Sequence, residues 1–169
     1  MALAENFAAL DAASTDLALS VLMTPDLANF SGKVHGGALL KLLDEVAYAC
    51  ASRYAGRYCV TLSVDQVTFR EPIHVGELVH FLARVNWTGN TSLEVGIKVV
   101  AENIRERSVR HANSCFFTLV AMGDDGRPTP VPALRPDTPD GERRFAMAAK
   151  RRELRAETAE RLDGMKHGA

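Results

Sequence analysis

The sequence predicts an α+β domain in which one long, early helix packs against an antiparallel meander. Two observations predict it. A helical apolar stripe runs from residue 36 to residue 55, and from residue 58 onward the pattern changes to strand-like runs cut by turn residues. One helix followed by strands in series is the signature of this class. The 169 residues suit a single domain large enough to bury a core.

The elements follow in order. Met1 to Ala13 is alanine-rich, reads as a short helix or a frayed end, and carries no chemistry. Leu17 to Met23 reads as a first strand that leaves through Thr24-Pro25. A glycine-punctuated loop, Asn29 to His35, then feeds a helix starting near Gly36 or Gly37 and stopped at Gly56. On a wheel of roughly 100° per residue, Leu40, Ala47, Cys50, Ala51 and Tyr54 fall near Leu43. Lys41, Glu45 and Ser52 share the opposite side, where Lys41 and Glu45 can pair weakly.

Val60 to Phe69 alternates, with Val60, Leu62 and Val64 on one face and Thr61, Ser63 and Asp65 on the other. A slip in phase at Gln66-Val67 marks a bulge. Leu78 to Trp87, Leu93 to Asn103 and Val109 to Met122 read as further strands, separated by a turn at Thr88 to Asn90 and a loop at Ile104 to Ser108. Five prolines between 128 and 139 enforce an extended segment over the surface. Glu142 to Leu162 reads as a charged helix, with Phe145, Ala148, Ala149 and Leu154 as anchors. Its arginines alternate with glutamates, which is the pattern of a solvated face. Residues 1–16 thus form an extension, 17–138 the main domain, and 139–169 a charged helix and tail.

Two features carry chemistry. Asp44 projects with Leu40, Ala47 and Ala51, on the flank of the apolar face, so it must be paired, hydrogen-bonded or functional. Gly36 and Gly37 open the helix where its first N–H groups lack intrahelical partners, a place suited to an anion or a developing oxyanion. The same pair of glycines also suits a plain loop-to-helix junction.

Other classes are disfavoured. A net charge of −1 argues against nucleic-acid binding. Cys50, Cys59 and Cys115 make no C-x-x-C pair and read as buried small hydrophobes in a reducing compartment. His35, His74, His80, His111 and His167 show no zinc-ligand spacing. The N-terminus, with Glu5 and Asp11, lacks the basic start of a secretory signal, and no apolar run approaches the ~20 residues of a membrane span. A cytoplasmic location is the expectation.

The run N-x-x-G-x-V-H-G-G-x-x-x-K-L-x-D-E-V-A, from Asn29 to Ala47, resembles the active-site segment of hotdog-fold acyl-CoA thioesterases. The likeness is closest to the cytosolic acyl-CoA hydrolases, whose animal members carry two such domains in tandem. It continues through T-L-S-V-D-Q-V-T-F (61–69), N-x-S-L-E-V (90–95), S-C-F-F-T-L-V (114–120) and V-P-A-L-R-P-D-T (131–138), and covers about residues 17 to 155. No internal repeat occurs, so this chain is a single-domain form, with 17–138 as the hotdog domain.

The resemblance implies hydrolysis of fatty acyl-CoA to free acid and CoA. Asp44 matches the catalytic carboxylate, acting as general base or nucleophile. Asn29 matches an asparagine that reaches the site from the neighbouring protomer and orients water. The Gly37 N–H would stabilise the thioester oxyanion, with Gly36 and His35 at the pocket mouth. Asn90, Thr91 and Ser92, with Arg or Lys side chains of a neighbouring protomer, are candidates for holding CoA phosphates. Lys33 departs from the tandem relatives and takes no role. Neither metal nor organic cofactor is expected, because thiolate leaves readily. The expected assembly is a homodimer or a trimer of dimers. Two rivals share the pocket: a 3-hydroxyacyl dehydratase pairing His35 with Asp44, and a non-catalytic acyl-CoA sensor. Chain-length preference is not written in the pattern.

Overall fold

The computed structural model of the protein describes residues 14–167, and the segment 1–13 read above as helix or frayed end lies outside the described residues. The elements are β1 (Asp16–Leu22), a 3-10 turn (Pro25–Leu27), α1 (Gly36–Ala55), β2 (Cys59–Val64), β3 (Leu78–Thr88), β4 (Ser92–Asn103), β5 (Ser108–Ala121) and α2 (Pro139–His167). The five strands form one antiparallel sheet in the order β1-β3-β4-β5-β2, and α1 packs on every one of them. This is the hotdog architecture.

Both ends of α1 fall where the glycines place them. His35 is the N-cap, extended at φ −68° and ψ 131°, and Gly56 closes the helix in the left-handed region at φ 62°, which a side chain would disfavour. The buried stripe is Leu39, Leu43, Val46, Ala47, Cys50, Ala51 and Ala55. It packs on the inward residues of the sheet, among them Phe81, Val95, Ile97 and Phe117. The wheel expectation therefore needs correction. Leu40 is exposed and Tyr54 half-buried, while Leu39 and Val46 take the core. The sheet lies on the Leu39–Val46 side, which leaves the flank of Leu40 and Asp44 open on the single chain. The Lys41–Glu45 ion pair forms at 3.8 Å.

Most strands match their turn signals within a residue or so, but β2 is shorter than the alternation suggests. It ends at Val64, and its register shift lies between Thr61 and Ser63 rather than at Gln66-Val67. As an edge strand paired only to β5, it has no second neighbour to hold residues 65–69 in the ladder. Its apolar face stays open, with Leu62 67 % exposed. The proline-rich segment is strapped to the surface as expected, through Val131 N–H to the Asn90 carbonyl and Leu134 N–H to Thr88 Oγ1.

The charged helix is the larger correction. Ala148 is its buried anchor, whereas Leu154 is exposed. Two of its arginines are fastened to the sheet instead of being solvated. Arg151 pairs with Glu94 of β4 at 2.6 Å and stacks over the Phe116 ring at 3.7 Å, while Arg155 pairs with Asp65 at 2.7 Å. Glu94 is buried beneath α2, so its charge must have a partner there.

A second buried carboxylate staples the loop before β3. Glu77, 5 % exposed, accepts two hydrogen bonds from Arg110 at 2.6 and 2.8 Å and one from the His74 N–H. The Arg110 hydrogen bonds hold its carboxyl below the usual carboxylate range, against the opposing effect of burial. A carboxylate with a lowered folded-state pKa stabilises the fold above its unfolded value, about 4.3, and that contribution disappears as pH falls through the folded value. Thermal unfolding between pH 7 and pH 3 is therefore expected to show a smaller loss of stability for Glu77→Gln than for wild type in the acid limb. Superimposable acid limbs would remove Glu77 from the acid response.

Candidate active site

Asp44 sits midway along α1, facing the edge strand β2. Thr61 Oγ1 of β2 donates to Asp44 Oδ1 at 2.7 Å, which fixes the carboxylate's orientation and leaves Oδ2 open. The two line a pocket of about 290 Å³ with Tyr48, Tyr58 and Val60. The tyrosine rings lie 5.8 Å apart, tilted by 59°, and flank the mouth. Cys59 also borders this pocket, but burial pushes its thiol above the usual range, as it pushes Cys50 and Cys115 to about 12. None of the three is poised as a nucleophile. Thr61 escaped the sequence reading. Its only signal was a place on the polar face of a strand following the helix that bears the misplaced acid.

Asn29 occupies a different place. Its Oδ1 accepts from the Ser31 N–H (2.9 Å), Ser31 Oγ (2.8 Å) and the Lys33 N–H (3.2 Å), so three donors identify this atom as the oxygen. The turn consumes the acceptor, and what Asn29 can offer a ligand is Nδ2–H. It lines a second pocket of about 380 Å³ with Gly36, Leu39, Phe69, Ile73 and Asn113.

The helix start departs from expectation. The Gly37 N–H donates to His35 Nδ1 at 2.9 Å, so the amide expected to meet the oxyanion is already occupied. A Cβ at 37 would stand 3.1 Å from His35 Nδ1, so a larger residue there would push the imidazole back by a few tenths of an ångström. The Gly36 N–H has no acceptor among the described residues. Helical rise places Gly37 about 10 Å along the axis from Asp44, and His35 about 13 Å from it. Within one chain, then, the helix start cannot share a thioester carbon with Asp44, and His35 and Asp44 do not form an acid–base pair.

Asn90, Thr91 and Ser92 lie at the β3–β4 hairpin, remote from both pockets in their contacts. The Gly89 N–H donates to the Ser92 carbonyl, and the Asn90 and Thr91 carbonyls accept from Val131 and Ala121. Ser92 also lines a separate groove with Trp87, Arg152 and Arg155. Each chain thus brings together Asp44 with Thr61, and Asn29 with Gly36, while keeping the two sets apart. Among the described residues no cluster of His, Cys, Asp and Glu is arranged to hold a metal ion. No described helix is long and apolar enough to cross a membrane.

Comparison with known proteins agrees with this fold. Residues 31–108 match the thioesterase superfamily domain. Protein VdlD of Helicobacter pylori is 53 % identical over 141 residues, spanning 83 % of this chain and 80 % of the relative. Among solved structures, an apo-hexameric acyl-CoA thioesterase superimposes with a TM-score of 0.83 at 31 % identity, covering 89 % of this chain and 96 % of the other. An acyl-CoA hydrolase from Staphylococcus aureus, solved with butyryl coenzyme A and coenzyme A, gives a TM-score of 0.80 at 27 % identity, covering 90 % and 92 %. That hydrolase has also been solved with an aspartate, and separately a threonine, replaced by alanine. The chain belongs to the thioesterase superfamily, among the hotdog-fold acyl-CoA thioesterases.

Proposed function

We propose that the protein hydrolyses acyl-CoA thioesters to a free acid and CoA at sites shared between two copies of the chain. The observation that carries this reading is the division of the chemistry into two half-sites. Asp44 with Thr61 supplies the base, and Asn29 with the start of α1 supplies hydrogen-bond donors about 10 Å too far away along the same helix. A two-fold dimer brings the Asp44 of one protomer to the Asn29 of the other, twice.

In each site, Asp44 takes a proton from water as the water oxygen adds to the thioester carbon, or it attacks that carbon itself to give a transient anhydride. The Thr61 hydroxyl holds the carboxylate in place for either route. Asn29 Nδ2–H and the Gly36 N–H face the developing oxyanion. Gly37 joins them once the His35 ring turns off its amide. Collapse of the adduct expels the CoA thiolate, a good leaving group, so the chemistry requires neither metal nor organic cofactor. The expectation that Asn29 orients water is refined here to donation from Nδ2, because Oδ1 is committed to its own loop. The groove of Ser92, Arg152 and Arg155, on the hairpin that also carries Asn90 and Thr91, is the proposed seat of the CoA phosphates.

The interface is marked by exposed apolar groups around Asp44. Tyr48, Tyr58, Leu62 and Val64 surround the unpaired edge of β2, and Phe30 projects fully into solvent beside Asn29. Pairing that edge with a second copy covers the patch and closes an exposed edge. Assembly of three such dimers into a hexamer, the number of chains in the hexameric relative, and a cytoplasmic location consistent with three free cysteines complete the proposal.

The test is release of CoA thiol from acyl-CoAs of graded length, with the oligomer sized by light scattering. Turnover by a dimer or hexamer is the expected result. Tight binding with no release at any length would replace the hydrolase by a sensor.

A further inference from the structure

The pocket that holds Asn29 and Gly36 also holds charge that the chemistry proposed above leaves unused. Two loops build its mouth. The Val34 N–H donates to the Ile73 carbonyl at 2.9 Å, and Lys33 pairs with His74 across an isolated bridge, so the loop before α1 lies against the segment that follows β2. Phe69 of that segment stands close over the helix start, where its ring would meet a Cβ at Gly36 at 3.5 Å. The pocket, about 380 Å³ and open to solvent, is consequently lined by Lys33, Arg70 and Glu71 as well as by Asn29, Gly36 and Leu39.

Its charges do not cancel. Glu71 lies 3.2 Å from Arg110, whose guanidinium also bonds the buried Glu77. Lys33 and Arg70 are both exposed, and neither forms an ion pair among the described residues. Lys33 is tied in place by its main chain, whose N–H donates to Asn29 Oδ1 at 3.2 Å. An ammonium on a flexible stem therefore starts beside the amide assigned to the thioester carbonyl. In the shared site this pocket also receives the Asp44 of a second protomer. An anionic substrate group entering there is repelled by that carboxylate, and two cations offset the repulsion.

We infer that Lys33 and Arg70 select the acyl group: they seat the terminal carboxylate of an ω-carboxyacyl-CoA, a dicarboxylic acid joined to CoA through one end, in preference to the saturated chain of equal length. This rests on the shared-site hydrolase reading and adds to it a substrate class. Leu39 and Phe69 line the path of the methylenes between thioester and carboxylate. The other anions of the ligand are the CoA phosphates, which stand at the end of the pantetheine arm, on the far side of the thioester from the acyl chain. Their proposed seat is the groove of Arg152 and Arg155. Because Lys33 and Arg70 keep contact with water, the carboxylate gains about what an exposed ion pair gives, and salt weakens it.

The experiment compares pairs of equal carbon number: succinyl-CoA with butyryl-CoA, glutaryl-CoA with valeryl-CoA, and adipyl-CoA with hexanoyl-CoA. Dissociation constants are measured by calorimetry in the Asp44→Asn background. Values of kcat/KM are measured with Asp44 retained, after subtraction of thioester loss without enzyme. The expected result is a preference of about fivefold for the carboxylated member of at least one pair, falling to about one when Lys33→Met and Arg70→Met are combined. The preference also shrinks at high ionic strength and is retained by Lys33→Arg. No preference in any pair at low salt overturns the inference, whatever the folding of the variants. Equal weakening of both members by the double variant, with the preference unchanged, also overturns it, because that assigns the two cations to the CoA phosphates. If no thioester is hydrolysed, the hydrolase reading fails, while the binding preference still decides the role of Lys33 and Arg70.

Discussion

Asp44→Asn lowers kcat for acyl-CoA hydrolysis by about 10³-fold, in the range expected for loss of a positioned general base, while the fold and the assembly are retained. The side chain is exposed on the single chain, and among the described residues its one hydrogen-bond partner is Thr61. An asparagine carbonyl can accept that bond, so the substitution removes charge and basicity with little change in shape. Because the acid acts on water or on the thioester carbon and not on the CoA moiety, KM is expected to move much less than kcat. Thiol-release kinetics beside light scattering check both parts. Activity within about tenfold of wild type would remove Asp44 from the chemistry.

The largest stability effect is expected at the other face of the sheet. Arg151→Met leaves Glu94, 1 % exposed, without its closest cation. The remaining contacts are Arg155 at 3.5 Å and the Asn86 amide at 3.4 Å, both too long to replace a charge-assisted bond of 2.6 Å. Removing one partner of a buried pair strands the other charge and typically costs about 3 kcal/mol or more. Methionine keeps much of the stem that packs over Phe116, so the loss reports the charge and not the contact area. Urea unfolding of Arg151→Met measures it, and adding Glu94→Gln should restore part of the loss. A change below about 0.5 kcal/mol would return α2 to the status of a solvated helix.

How much of this was legible in the sequence varied with the range of the interaction. The limits of α1 could be read because Gly36 and Gly56 act locally, through helix-start and left-handed geometry. Asp44 stood out because a charge on the flank of an apolar stripe violates a short-range period. The rotation of that stripe toward Leu39 and Val46 could not be read, since periodicity does not say on which side the sheet will lie. Thr61 is 17 positions from Asp44, and a threonine on the polar face of a half-exposed strand looks ordinary until the helix is laid against it. Histidine is not among the favoured N-caps, so nothing marked His35 as the residue that would occupy the Gly37 amide. The Glu94–Arg151 pair spans 57 positions, and among alternating charges a half-buried arginine resembles its solvated neighbours. The burial of Asn113 next to Ala112 in β5 depends on a register shift against Val99 and Val100, which alternation alone does not locate.

The central claim is that each site takes Asp44 from one protomer and Asn29 from the other. Co-assembly of Asp44→Ala chains with Asn29→Ala chains tests it most directly, with thiol release as the readout. Each homodimer lacks one essential group in both sites. A mixed dimer has one site with both groups intact and one with neither, so random mixing of equal amounts should restore about a quarter of the wild-type activity. If Asp44 and Asn29 worked within a single chain, every chain in the mixture would be defective, and activity would stay at the level of the separate variants.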